Sequence, residues 1–230
     1  MPLLQRKYAE IRDKVRAGDI IAFGGKGNFS EIIKWATRAS VSHVGIVLQS
    51  ELRGAKDLGT DGYFNQIIES TSLNGFSGVT ISRLSDRVDT YPGEIWWLPL
   101  GSAARKQVDD NLSGFYGWCL KQDHKPYDMP QAVASAMDAL DRVMGPASVT
   151  LNNEDFAKFF CSELALGSLE QVGAIPHVNA SEVTPVDLCS FSIYEEDYVQ
   201  IGGKARQITS YNTIDPRQWA RKTGALAAIA

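Results

Sequence analysis

Five short runs rich in β-branched and aromatic residues occupy the first hundred positions: Asp19 to Phe23, Val44 to Leu48, Gln66 to Ile68, Val79 to Ile81 and Glu94 to Leu98. Each reads as a strand. The first half is mostly strand and the middle helical, which together read as a single α+β domain. Ahead of the strands, Leu4, Tyr8, Ile11 and Val15 are spaced four, three and four apart, which predicts an amphipathic helix over 3–17 stopped by Gly18. Ser30 is placed to cap a helix over about 31–38. Beyond the strands, Ser102 is a candidate cap for a helix whose inner face carries Val108, Leu112, Phe115 and Cys119. A second helix follows Pro130, with Val133, Met137, Leu140 and Met144 on one side, Asp128 and Gln131 as a capping pair and Gly145-Pro146 as its stop. A third contains Leu164, Leu166 and Leu169 and ends near Gly173, its start ambiguous. The last fifty residues return to strand-like runs around Ile193 and from Tyr198 to Ile201, followed by a polar, basic tail.

The chain of 230 residues suits a single domain, with its core at about 18–200 and with segments 3–17 and 205–230 peripheral. A net charge of −4 argues against a general nucleic-acid binder. The charges from Arg6 to Lys14 interrupt any leader, and the apolar stretch from Ala225 to Ala230 is far short of the ~20 residues a membrane span needs. A soluble, cytoplasmic protein is expected. Three cysteines with no C-x-x-C pair exclude a zinc ribbon or a dense disulfide framework and suit a reducing compartment.

With three cysteines and three histidines, the search for a nucleophile is short. Cys119 lies on an apolar stripe, and Cys189, in Val186-Asp187-Leu188-Cys189, has no helix start or histidine near it; both read as buried filler. Cys161 is open to two readings. Either it sits at a strand-to-helix junction after Phe159-Phe160, where a helix N-terminus favours thiolate, or it is buried in a continuous helix over about 153–172, capped by Asn152 or Asn153. His43 opens the strand Val44 to Leu48. If the strands 44–48 and 66–70 form a hairpin with its turn centred near residue 56, residue 43 lies opposite Glu69, and directly opposed Cβ atoms are about 4.5–5.5 Å apart. Asn65 and Asn74 are the alternative orienting groups. Gly24-Gly25-Lys26-Gly27-Asn28 lacks phosphate-loop spacing, and Gly75-Phe76-Ser77-Gly78-Val79 misses the nucleophile elbow by its last glycine. Trp96 and Trp97 should face opposite sides of their strand, one in the core and the other free to line a groove. His124 and His177 have no ligand-spaced partners, and no metal or other cofactor is expected.

Several segments together resemble the circularly permuted branch of the NlpC-type papain-like cysteine hydrolases, the YiiX-like group. They are Gly18-Asp19-Ile20-Ile21-Ala22-Phe23, Ser42-His43-Val44-Gly45-Ile46-Val47, Glu69, Tyr127-Asp128 and Phe160-Cys161-Ser162-Glu163-Leu164, with histidine preceding cysteine. The likeness covers roughly residues 18–200 and rests on order and spacing. It implies a circularly permuted papain-like fold, with an antiparallel sheet packed against helices and the nucleophilic Cys161 at the start of one of them. It also implies a Cys161–His43–Glu69 site, with the Cys161 backbone N–H as one oxyanion donor. Tyr127, just ahead of the helix that Asp128 is placed to cap, reads equally as a second oxyanion donor or as a half-buried aromatic closing the helix end. The substrates it implies are amides, peptides or lipid-linked acyl groups, while the lack of a cell-wall-binding module argues against peptidoglycan. Three functions follow as expectations: a cysteine hydrolase working through a thioester, an acyltransferase with the same site and lipid-related substrates, and a non-catalytic binding module. Oligomeric state is not legible.

Overall fold

A computed structural model describes residues 4–24, 40–52, 63–73, 76–125, 153–180 and 183–218. The predicted helix over 31–38, the glycine-rich turn after Gly24, the helix after Pro130 and both Tyr127 and Asp128 lie outside these residues. Among the described residues the strands are β1 (Leu4–Gln5), β2 (Ile20–Gly24), β3 (His43–Leu52), β4 (Tyr63–Leu73), β5 (Phe76–Arg83), β6 (Glu94–Leu98) and β7 (Val199–Gly202). The α-helices are α1 (Leu84–Thr90), α2 (Ser102–Asp110), α3 (Leu112–Gln122), α4 (Asn153–Gln171) and α5 (Pro185–Ser190). One seven-stranded sheet runs β1-β7-β6-β2-β3-β4-β5. It is mixed rather than wholly antiparallel, because β1 pairs parallel with β7.

Both faces of the sheet are covered, as period-2 alternation of apolar side chains demonstrates. Ile20, Ala22, Val44, Ile46, Ile68, Trp96 and Leu98 belong to a core shared with α2, α3, α4 and α5. Their neighbours Ile21, Phe23, Val47, Ile67, Ile95 and Trp97 belong to a second core closed by Ile11, Val15 and Leu84. Strands buried on both faces read as continuous apolar runs, which is why Ile20–Gly24 and Glu94–Leu98 show no polar alternation.

The segment predicted as an N-terminal helix is not one. Leu4–Gln5 is a strand, Tyr8–Glu10 is a single 3₁₀ turn, and the Arg6 N–H donates to the Gln200 carbonyl instead of to a helical ladder. The apolar spacing nevertheless served its purpose: Ile11 and Val15 are buried, with Leu4 and Tyr8 packed beside them. Gly18 ends the segment at φ +87, where a Cβ would also strike Val108. The helix predicted from Ser102 is two helices, broken at Asn111. The break rotates Leu112 outward to 47% exposure while Val108, Phe115 and Cys119 stay buried. Gly101, not Ser102, is the cap residue of α2. The strand expected around Ile193 is an isolated bridge from Tyr194 to Leu100. α5 went unpredicted, although Thr184 and Asp187 form a capping box and Pro185 occupies its first turn.

Asp19 joins the two layers. Its buried carboxylate accepts from the Arg16 N–H (2.9 Å), Trp97 Nε1 (2.9 Å), the Leu100 N–H (3.0 Å) and the Arg105 guanidinium. Burial pushes this carboxyl up, and Arg105 with the N–H donors offsets only part of the cost. Trp96 Nε1 donates to the Arg206 carbonyl at 2.9 Å. Both tryptophans are buried, one in each core, so neither lines a groove as the sequence had allowed.

Candidate active site

His43 and Glu69 meet across the adjacent strands β3 and β4. The Nε2 of His43 lies 2.8 Å from Oε2 of Glu69, with 7% of His43 and none of Glu69 exposed. The expected register is two residues out. Ile46 pairs with Ile68, which puts Gly45 opposite Glu69, and a bulge between Val47 and Gln49 shifts the hairpin further on. A two-residue slip keeps every side chain on its own face, so His43 still reaches Glu69, along a diagonal. Gly45 opens that diagonal: a Cβ there would stand 3.3 Å from the Glu69 Cβ. Asn65 is not the orienting group. Its amide donates to the Tyr8 hydroxyl and the Arg12 carbonyl, both at 2.8 Å. Asn74 and Tyr127 lie outside the described residues.

Cys161 arrives from the helical layer, 1% exposed, with its side chain hydrogen-bonded to the imidazole of His43. It does not begin its helix. α4 starts at Asn153, since no glycine or proline between Glu154 and Phe160 stops propagation. Cys161 is therefore eight residues, about 12 Å, from the helix N-terminus. Its N–H belongs to the helical ladder, which removes it as an oxyanion donor and puts the positive end of the helix out of reach.

Sequence reasoning missed Arg87. Its Nη2 donates to Glu69 Oε2 at 3.1 Å, and its Nε forms an ion pair with Oε1 at 2.7 Å. The guanidinium is seated between aromatic rings, 5.1 Å from the centroid of Phe23 and 5.5 Å from that of Tyr91. The Phe23 ring also packs against His43 at 5.3 Å. Ser82 completes the shell, donating to Glu69 Oε1 at 3.2 Å. No signal in Leu84-Ser85-Asp86-Arg87 marks this arginine, because its role depends on α1 packing across β4 and β5.

The charges interlock. Burial alone would push Glu69 up, but the hydrogen bond and charge of His43 together with Arg87 hold it below the usual carboxylate range. Burial pulls His43 down; Cys161 and Glu69 outweigh it, raising the imidazole from 6.5 to about 9. A raised imidazole contributes stability that is complete below its unfolded value of 6.5 and is lost as pH climbs through about 9. Urea midpoints of the wild type should therefore fall between pH 6.5 and 9.5, by an amount on the order of 2–3 kcal/mol in stability. A His43→Gln variant should show a flatter trend, and parallel trends would remove His43 as the titrating group.

The other histidines stand apart: His124 contacts Asp123 at 2.9 Å, His177 contacts Glu170 at 3.2 Å, and both are exposed. Among the described residues no cluster of three potential metal ligands occurs, and no helix is long and apolar enough to cross a membrane. No family model matches the chain, and no curated protein matches it in sequence.

Proposed function

We propose that the protein is a cysteine hydrolase that cleaves an amide or ester through a thioester. The observation that carries this reading is the buried, hydrogen-bonded series from Cys161 through His43 to Glu69. An ionised carboxylate only accepts hydrogen bonds, so Glu69 keeps a proton on Nε2 and leaves Nδ1 as the base. His43 Nδ1 takes the proton of the Cys161 thiol before the sulfur bonds to the acyl carbon, and the raised imidazole holds it as imidazolium. The imidazolium then returns that proton to the departing amine or alcohol. Water, deprotonated by the same nitrogen, attacks the thioester and releases the acid and the thiol. An amide, a peptide and a lipid-linked acyl group all fit this chemistry. Transfer to another acceptor differs only in the group that resolves the thioester, and the buried Trp96-Trp97 pair lends it no support.

The three cysteines provide the test. All are buried to within 1% of full exclusion, so access does not separate them. Burial pushes the Cys119 thiol up to about 12 and raises Cys189 further, whereas Cys161 alone has an imidazole partner. Iodoacetamide at neutral pH is expected to modify Cys161 well before the other two, as read by peptide mass spectrometry. Equal or slower modification of Cys161 would remove it as the nucleophile.

A second reading, a binding module without turnover, is favoured by one observation: α4 runs through Cys161, which denies the site the Cys161 N–H as an oxyanion donor. Activated acyl esters discriminate. An acyl adduct on Cys161 that forms and then decays supports the hydrolase; no adduct at any pH supports the binding module.

A further inference from the structure

We propose that Arg87 is a positioning residue for the site, fixing Glu69 as an anion in one orientation so that His43 keeps its neutral-state proton on Nε2 and turns Nδ1 to Cys161. The inference rests on the hydrolase reading for its consequence, but its geometry stands on its own. Glu69 is fully buried, and its contacts are His43, Ser82 and the two-point contact of Arg87. Arg87 is itself 8% exposed and held between Phe23 and Tyr91, so its fork is pre-set rather than free to wander.

Tautomer choice follows from the charge on Glu69. A carboxylate can only accept, so neutral His43 must carry its proton on Nε2. A protonated Glu69 would donate instead, Nε2 would accept, and the imidazole proton would move to Nδ1, facing the thiol. That tautomer cannot receive a proton from Cys161. Burial favours the protonated carboxyl, and Arg87 is the cation that opposes it whatever the state of His43.

The groups facing this cluster come from each element packed on it: Arg87 of α1 and Tyr91 just after it, Ser82 of β5, His43 of β3 and Cys161 of α4, with Cys189 of α5 beyond the thiol. Burial pushes the Tyr91 phenol up to about 12 and raises Cys189, so neither charges in the neutral range. Among the described residues Arg87 is thus the permanent cation in contact with Glu69.

The test uses the full chain with ¹⁵N-labelled histidine in wild-type, Arg87→Met, Arg87→Lys and Glu69→Gln forms. Imidazole ¹⁵N spectra report the His43 tautomer, and iodoacetamide modification of Cys161 from pH 5 to 10 gives the rate profile. In the wild type the neutral imidazole should carry its proton on Nε2. In Arg87→Met the Nδ1-protonated form should appear, the acidic limb should move to higher pH, and the rate at pH 7 should fall about 10–100-fold, a typical loss for a group that orients another. Arg87→Lys restores the charge but not the fork and should recover part of the rate. It also carries the test if Arg87→Met does not fold. A folded Arg87 variant with the wild-type tautomer and rate profile overturns the proposal. A tautomer change in Arg87→Met, with wild-type Cys161 no more reactive than Cys119, upholds the positioning role and sinks the hydrolase reading instead.

Discussion

Replacing His43 with alanine is expected to slow acylation of Cys161 by about 10²–10⁴-fold at pH 7, the range that a positioned acid–base group supplies. The loss has two parts. The thiol gives up its hydrogen-bond partner, and Glu69 keeps its charge on Arg87 with nothing to orient. The rate in the variant should rise steadily with pH as solvent takes over deprotonation, whereas the wild-type profile should be bell-shaped. Stopped-flow measurement with a chromogenic thioester or activated ester gives both limbs. Imidazole added to the variant should recover part of the rate, since the cavity left behind is lined by Phe23 and Glu69. A His43→Ala protein acylating at the wild-type rate would leave Cys161 without a base and end the hydrolase reading.

The largest stability effect is expected away from the site, at Arg105. Removing one member of a buried pair leaves the other uncompensated, which costs about 3–5 kcal/mol. Arg105→Met strands the Asp19 carboxylate among Trp97, Leu100 and the Arg16 backbone. In a domain of this size each kcal/mol is worth roughly 2–4 °C, so the melting temperature should drop by about 6–20 °C. Adding Asp19→Asn to that variant removes the unpaired charge and should return a large part of the loss. A melting temperature within about 2 °C of wild type for Arg105→Met would show that solvent reaches Asp19 and that the pair is not a buried one.

The layout of the sheet was written plainly in the chain because its inner strands are buried on both faces. Ile20 to Phe23 and Ile95 to Leu98 run without a polar residue, and Glu94–Leu98 matches its strand to the residue. Register was less legible. The bulge between Val47 and Gln49 depends on how β3 and β4 twist together, and only the face-preserving slip of two kept His43 beside Glu69. Helix ends failed for local reasons. Apolar spacing continued through Asn111 where the backbone did not, and the segment before Cys161 offered nothing to start a helix late. Thr184 and Asp187 did spell out a capping box, and reading them would have located α5 and with it Cys189. Arg87 had no comparable mark, because its partners come from β2, β4 and the turn after α1.

The sheet order has a consequence for synthesis on the ribosome. β7 is the strand that lies between β1 and β6, so two segments made early are joined by one made late. Between Leu98 and Val199 a nascent chain growing at about 5–20 residues per second spends roughly 5–20 s with one edge of β6 unpaired. That edge belongs to an apolar strand bearing two tryptophans, the kind of surface that templates pairing with a neighbouring chain. Newly made copies on one message therefore compete with β7 for the same hydrogen bonds, and slower translation of the intervening helices lengthens the contest.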